Sequence, residues 1–151
     1  MKTKRFLVLV VGVIVTFGAV QADAADRFFQ IHVKLIAGGL SAFFDPPGPP
    51  GPNCYSFLED GTWNDPLFPV LGMWAPAEPR GVVERYSAIA EWEGSPPDEI
   101  PPLTLVQEGQ ITPAGRNGQA RLQAFSTVFL GETDIVLAEF MSTGREVDEC
   151  P

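Results

Sequence analysis

The chain is poor in the residues from which most recognisable active sites are built. Of its 151 residues, two are cysteines and one is a histidine. A single histidine excludes the multi-histidine zinc sites. Two cysteines without C-x-x-C spacing exclude the familiar thiol redox motif. No serine sits in a G-x-S-x-G context, so the nucleophile elbow of a serine hydrolase is missing. Nothing in the spacing suggests a metal or a cofactor, and neither is expected. Positive charge is scarce as well, with 10 Lys and Arg against 19 Asp and Glu.

Much of that positive charge lies at the very start. Lys2, Lys4 and Arg5 precede an apolar run from Phe6 to Val20, and Ala22-Asp23-Ala24 then offers the small-x-small pattern of a signal-peptidase site. The residues at −3 and −1 must be small because the peptidase pockets accept little more than a methyl group. Val20-Gln21-Ala22 gives a second register two residues earlier. The rival, an uncleaved anchor, needs roughly 18–20 apolar residues, more than the run supplies. Residues 1–24 therefore read as a cleavable signal peptide and residues 25–151 as one mature domain. No membrane association is expected after cleavage, and the mature protein is expected to be periplasmic or secreted.

Cleavage takes the 10 basic residues to 7 and the 19 acidic residues to 18, a net charge near −11. Such a surface repels phosphate backbones, so nucleic acid is not an expected partner. Cys54 and Cys150 both lie in the mature part. In an oxidising compartment they are expected to pair, closing a loop of roughly 97 residues.

Proline and glycine make up roughly a fifth of the mature chain, well above the usual share of about 12%. They fall in clusters, with strand-like runs between them. Phe29, Ile31, Val33 and Leu35 alternate with Gln30, His32 and Lys34, the period of a half-buried strand. Gly38-Gly39 is expected to break or bulge it. Asp45 to Pro52 is a stiff polyproline-like loop, too short for collagen. Cys54–Leu58 reads as a short strand turned at Glu59-Asp60-Gly61-Thr62. Asn64 to Arg80, with four prolines, reads as an irregular packed stretch. Val82 to Glu93 alternates again, with Val82, Tyr86, Ala88, Ala90 and Trp92 on one face; a helix is the rival. Ser95 to Pro102 is a second proline-rich loop.

Leu103–Ile111, Ala120–Leu130 and Ile135–Ser142 predict an antiparallel meander, with turns at Gly115–Gly118 and Gly131–Asp134. If Leu130 pairs with Ile135, then Val128 faces Leu137, Ser126 faces Glu139 and Ala124 faces Met141. On the other side Phe129 meets Val136 and Phe125 meets Phe140. Both faces of this hairpin are largely apolar, so both are expected to be covered, the outer one by the proline-rich segments or by a partner subunit.

The inferred register places Glu139 on an apolar inward face opposite Ser126. Burial there would raise its pKa, as a general acid requires. Glu84 shares the apolar face of its own strand with Tyr86 and is a second inward candidate. The plainer reading pairs Glu139 with Arg121 or Arg145, or leaves it at an edge in water. His32 falls on a polar face and reads as exposed. Glu59, Asp60, Asn64 and Asp65 gather oxygen atoms around a turn without the spacing of a calcium loop. The tryptophans read as core area before sugar-stacking platforms.

The expected fold is all-β, a single small antiparallel barrel or sandwich of about seven or eight strands with long proline-rich loops. The leading functional expectation is a non-catalytic module binding an unknown small molecule or protein, with a homodimer as one form of assembly. A small barrel enzyme (isomerase, cyclase or hydrolase) working through Glu139, with Glu84, Tyr86 and Ser126 nearby, is the first alternative. An inhibitor presenting the Asp45–Pro52 loop is the second.

Overall fold

A computed structural model describes residues 25–38, 53–66, 68, 70–95, 100–116 and 118–151. Residues 1–24, expected to be a signal peptide, and residues 45–52, expected to be a stiff loop, lie outside the described residues. Eight strands follow one another in chain order: β1 Arg27–Gly38, β2 Asn53–Phe57, β3 Thr62–Asn64, β4 Gly72–Arg80, β5 Val83–Trp92, β6 Leu103–Thr112, β7 Arg121–Leu130 and β8 Val136–Val147. Each pairs antiparallel with the next, and β8 returns to pair with β1, closing a barrel. Of the two architectures the alternation allowed, the barrel is the one formed. Closure leaves no continuous free edge along β1 or β8.

Period-two alternation builds the inside. Phe29 and Ile31 from β1, Tyr55 and Phe57 from β2 and Trp63 from β3 point inward. They meet Ala88 and Ala90 of β5, Ala124 of β7 and Ala138 of β8. An eight-stranded barrel has room for about one layer of side chains, so large rings on one wall require small residues on the other. Phe57 sits at the centre of the rings, with edge contacts to Phe29 at 5.9 Å, Trp74 at 5.5 Å and Tyr86 at 4.7 Å. Each fully buried ring contributes about 2–3 kcal/mol of apolar burial. Tyr86 needs a gap in the facing wall, and Gly109 provides it. A Cβ at that position would fall 2.3 Å from the Tyr86 ring.

The meander β6–β7–β8 forms where the sequence places it, and Cys54 and Cys150 are bonded, with Cα atoms 5.6 Å apart. The bond ties β2 to the segment after β8. Three expectations are corrected. The stretch 64–80 is not wholly irregular, because β4 forms within it and pairs with β5 from Met73↔Ile89 to Ala77↔Arg85. Pro76 and Pro79 are tolerated because β3 pairs only with Gly72 and Met73, leaving the rest of that β4 edge without a ladder among the described residues. Val82 does not join the inward face of β5. It sits beside Gly81 between the paired residues Arg80 and Val83 and is 78% exposed.

The third correction concerns β8. Leu130 N donates to Ile135 O at 2.9 Å and Phe129 pairs with Val136, both as expected. One residue further along, the register slips at a β-bulge. Val128 pairs with Ala138, Thr127 with Glu139, Ser126 with Phe140, Phe125 with Met141 and Ala124 with Ser142. Leu137 is the extra residue. A bulge inserts one residue on one strand only, so the side chains beyond it exchange faces relative to an unbroken alternation.

Candidate functional site

That single slip decides what lies inside. Ala138, Phe140 and Ser142 take the inward positions, and Glu139 and Met141 turn outward. Glu139 is exposed on the outer wall beside Thr127, so the inward carboxylate of the enzyme alternative is not formed. Ser126 is buried, but Phe140 is its register partner, not Glu139. Glu84 lies exposed at the barrel rim, where its carboxylate accepts a 2.8 Å contact from Arg27. Arg27 also holds Glu146 at 2.7 Å. Glu84 and Glu146 are therefore both claimed by one guanidinium at the surface, and Glu84 and Glu139 do not come together as two inward carboxylates.

Inside the barrel stands a polar chain that sequence reasoning had only in part. The Tyr86 hydroxyl donates to Gln107 Oε1 at 2.7 Å, and Gln107 Nε2 donates to Ser126 Oγ at 2.8 Å. The hydroxyls of Tyr55 and Ser142 share a 2.8 Å hydrogen bond. Gln107 and Ser142 are fully buried. Gln107 follows Leu103 and Leu105 in the inward series of β6, so a glutamine at an inward position was the signal available for it. Ser142 gave none, because the bulge had reassigned its face. Trp63 Nε1 is buried with no hydrogen-bond acceptor among the described residues.

Burial pushes the Tyr55 hydroxyl far above the ordinary phenol range, and the nearby Asp65 carboxylate pushes it further. Burial does the same to Tyr86, with Tyr55 and Asp65 adding to it. Both phenols keep their protons at any physiological pH. They are fixed hydrogen-bond partners in a packed interior, which suits bracing the wall and does not suit abstracting a proton.

The acidic turn also separates. The Thr62 side chain, and then the Thr62 backbone N–H that donates to Asp60 Oδ1 at 2.8 Å, hold the Asp60 carboxyl below the usual range. Asp65 is instead buried. Among the described residues no group of three His, Cys, Asp or Glu side chains could hold a metal ion. His32 is exposed on β1.

The outer wall carries the more distinctive pattern. Following the register across the strands, one row reads Met73, Ile89, Val106, Thr127, Glu139. The next reads Glu108, Phe125, Met141, Lys34. Phe129 and Val136 pair beside them. Phe125 is 53% exposed, and Met73, Ile89 and Val136 are exposed too. The apolar outer face expected for β7–β8 is thus present and extends across β4 to β8. Two concavities also lie outside the barrel, one beside Arg121 and Arg145, the other beside Asp26, Arg27, Glu146 and Asp148.

No family model, no curated protein and no solved structure matches the chain. Its own geometry is the ground for a functional reading.

Proposed function

We propose that the protein is an exported, disulfide-closed binding module that works through its outer wall, and that the partner on β6–β8 is a second copy of itself. Export is supported by the residue pattern at 1–24 and is compatible with the Cys54–Cys150 bond. The observation that carries the binding reading is the row Glu108–Phe125–Met141–Lys34, which runs acid, apolar, apolar, base across β6, β7, β8 and β1. A two-fold axis parallel to the strands, between β7 and β8, lays this row on its own reverse. Phe125 of each copy then covers Met141 of the other, and Glu108 of each meets Lys34 of the other. In the adjoining row the same axis sets Glu139 against Thr127, where a carboxylate finds a hydroxyl donor. A contact in which one patch serves both partners is the signature of a closed dimer.

The contact has a limited reach. Strand spacing near 4.8 Å and a convex wall allow roughly 400–600 Å² per copy, below the standard interface of about 800 Å². The dimer is therefore expected in the micromolar range.

Sedimentation velocity on the protein recovered after export, run across a concentration series, tests this. The expected result is a monomer–dimer equilibrium abolished by Phe125→Asp. Lys34→Glu or Glu108→Lys alone should weaken it, and the two together should restore it. A monomer at the highest concentrations, or a charge-swapped double variant no better than either single one, overturns the reading.

A further inference from the structure

We propose that the outer face at the ends of β1, β7 and β8 is a binding site for an oxyanion group, the carboxylate, sulfate or phosphate of a small ligand, gripped between Arg121 and Arg145. These two residues are direct register partners across the β7–β8 pair. Like charges placed opposite one another on antiparallel strands destabilise the pairing. The mature chain has 18 acids for 7 bases, so a carboxylate between them would be easy to supply, yet the described residues supply none. Among the described residues both ion pairs belong to Arg27, and neither Arg121 nor Arg145 has one.

The surroundings extend the argument. The outward row holding the arginines reads Thr112, Arg121, Arg145, Gln30, and the row beside it Gln110, Gln123, Thr143, His32. No acid occupies either row, on a protein whose charge is strongly negative elsewhere. These side chains offer hydrogen-bond donors, the complement of an oxyanion. A groove of about 610 Å³ opens among Gln30, His32, Gln119, Arg121, Thr143 and Arg145.

Arg145 is held in place by Gln30 of β1. Its Nε and one terminal nitrogen donate to Gln30 Oε1 at 3.3 and 3.0 Å, which fixes the plane of the guanidinium and leaves its other N–H groups open. A guanidinium held in this way can grip two oxygens of one oxyanion, which a lysine ammonium cannot match geometrically. An anion between the two arginines also cancels the repulsion that they impose on the hairpin. Arg121 lies four residues along β7 from Phe125, about 13 Å at strand rise, so the site shares no side chain with the apolar contact proposed above.

Amide-resolved NMR titrations of the recovered protein with inorganic phosphate, sulfate and acetate test the proposal, at constant ionic strength with chloride as the reference. Expected are saturable shifts centred on Thr143, Gly144, Arg145 and Arg121. Arg121→Gln or Arg145→Gln should weaken the best anion at least tenfold, and Arg80→Gln, on β4, should leave it unchanged. The three anions show which oxyanion the site prefers. Thermal melts give a second reading: in chloride either arginine variant should melt higher than the parent, and phosphate or sulfate should reverse that order. Shifts that never saturate, that centre elsewhere or that persist in both arginine variants overturn the proposal.

Discussion

Gln107 tests whether the interior polar chain braces the barrel or serves a ligand. Its side chain is fully buried, accepts from Tyr86 and donates to Ser126. Gln107→Leu keeps nearly the same volume and strands two partners at once, the Tyr86 hydroxyl and the Ser126 hydroxyl. A buried polar group left unpaired costs about 1–3 kcal/mol, so the single variant is expected to lose about 2–6 kcal/mol. Removing the partners together has a different consequence. The triple change Tyr86→Phe, Gln107→Leu, Ser126→Ala leaves no orphan from this chain and is expected to recover most of that loss, because replacing all partners by apolar groups is nearly neutral. Equilibrium unfolding in urea with the disulfide intact reads both values, and an unchanged slope with denaturant shows that the native and unfolded states stay comparable. A single variant no less stable than the triple one would refute the bracing argument. Polar groups that stabilise nothing would then point to a ligand inside the barrel.

Alkaline pH should unfold the protein through the same tyrosines. Both folded-state pKa values lie above the unfolded value near 10, so the stabilisation is complete below about pH 10 and is lost as pH rises further. Each phenol contributes a slope of about 1.4 kcal/mol per pH unit, and tyrosinate absorbance should rise together with unfolding, not before it. Gly109→Ala should cost about 1–3 kcal/mol by driving a methyl group into the Tyr86 ring, and a Tyr86→Ala background should erase that penalty; an undiminished cost there would mean the clash is elsewhere. Reduction of Cys54–Cys150 should lower stability by a few kcal/mol, up to about 4–5 in the chain-entropy limit, as read by urea midpoints with and without reductant.

The elements with clean alternation were legible in the sequence. β5 and β7 bury the expected parity, β6 forms where it was expected, and the two cysteines, read with the expected export, implied the bond between β2 and the C-terminal segment. β4 was hidden because two prolines argue against a strand until one knows that half of its edge has no partner strand among the described residues. Glu139 was misplaced for a different reason. The turn at Leu130–Ile135 was read correctly, and from there a period of two carries every later residue to a definite face. A bulge adds one to that count without altering composition or hydrophobic pattern, because both faces of β8 are apolar enough to be exchanged. The same ambiguity hid Ser142 and placed Phe125 against Phe140, whereas Phe125 stands on the outer wall. Arg121 and Arg145 were noticed only as partners for Glu139. That they oppose each other follows from the corrected register alone.

The slip at Leu137 has a counterpart on the neighbouring strand. β1 bulges between Leu35 and Ala37, and its next residue, Gly38, pairs with Ala138 just past Leu137. The backbone of Gly38 has φ of 70°, and a Cβ there would fall 2.1 Å from the Leu137 carbonyl oxygen. Two irregularities side by side let the sheet bend where β1 closes on β8, since bulges increase local twist and curvature. Gly38 lets the two strands approach here, because it holds a left-handed backbone and carries no Cβ to meet the Leu137 carbonyl. Gly38→Ala brings both a left-handed conformation that alanine disfavours and a direct clash with backbone, and is expected to cost about 2–4 kcal/mol. The loss should be local at first, with faster amide exchange at Ala37, Gly38, Ala138 and Glu139 than at β5 and β6. An alanine variant as stable as the parent, with unchanged exchange at Ala138 and Glu139, would show that the β1–β8 seam does not need its glycine.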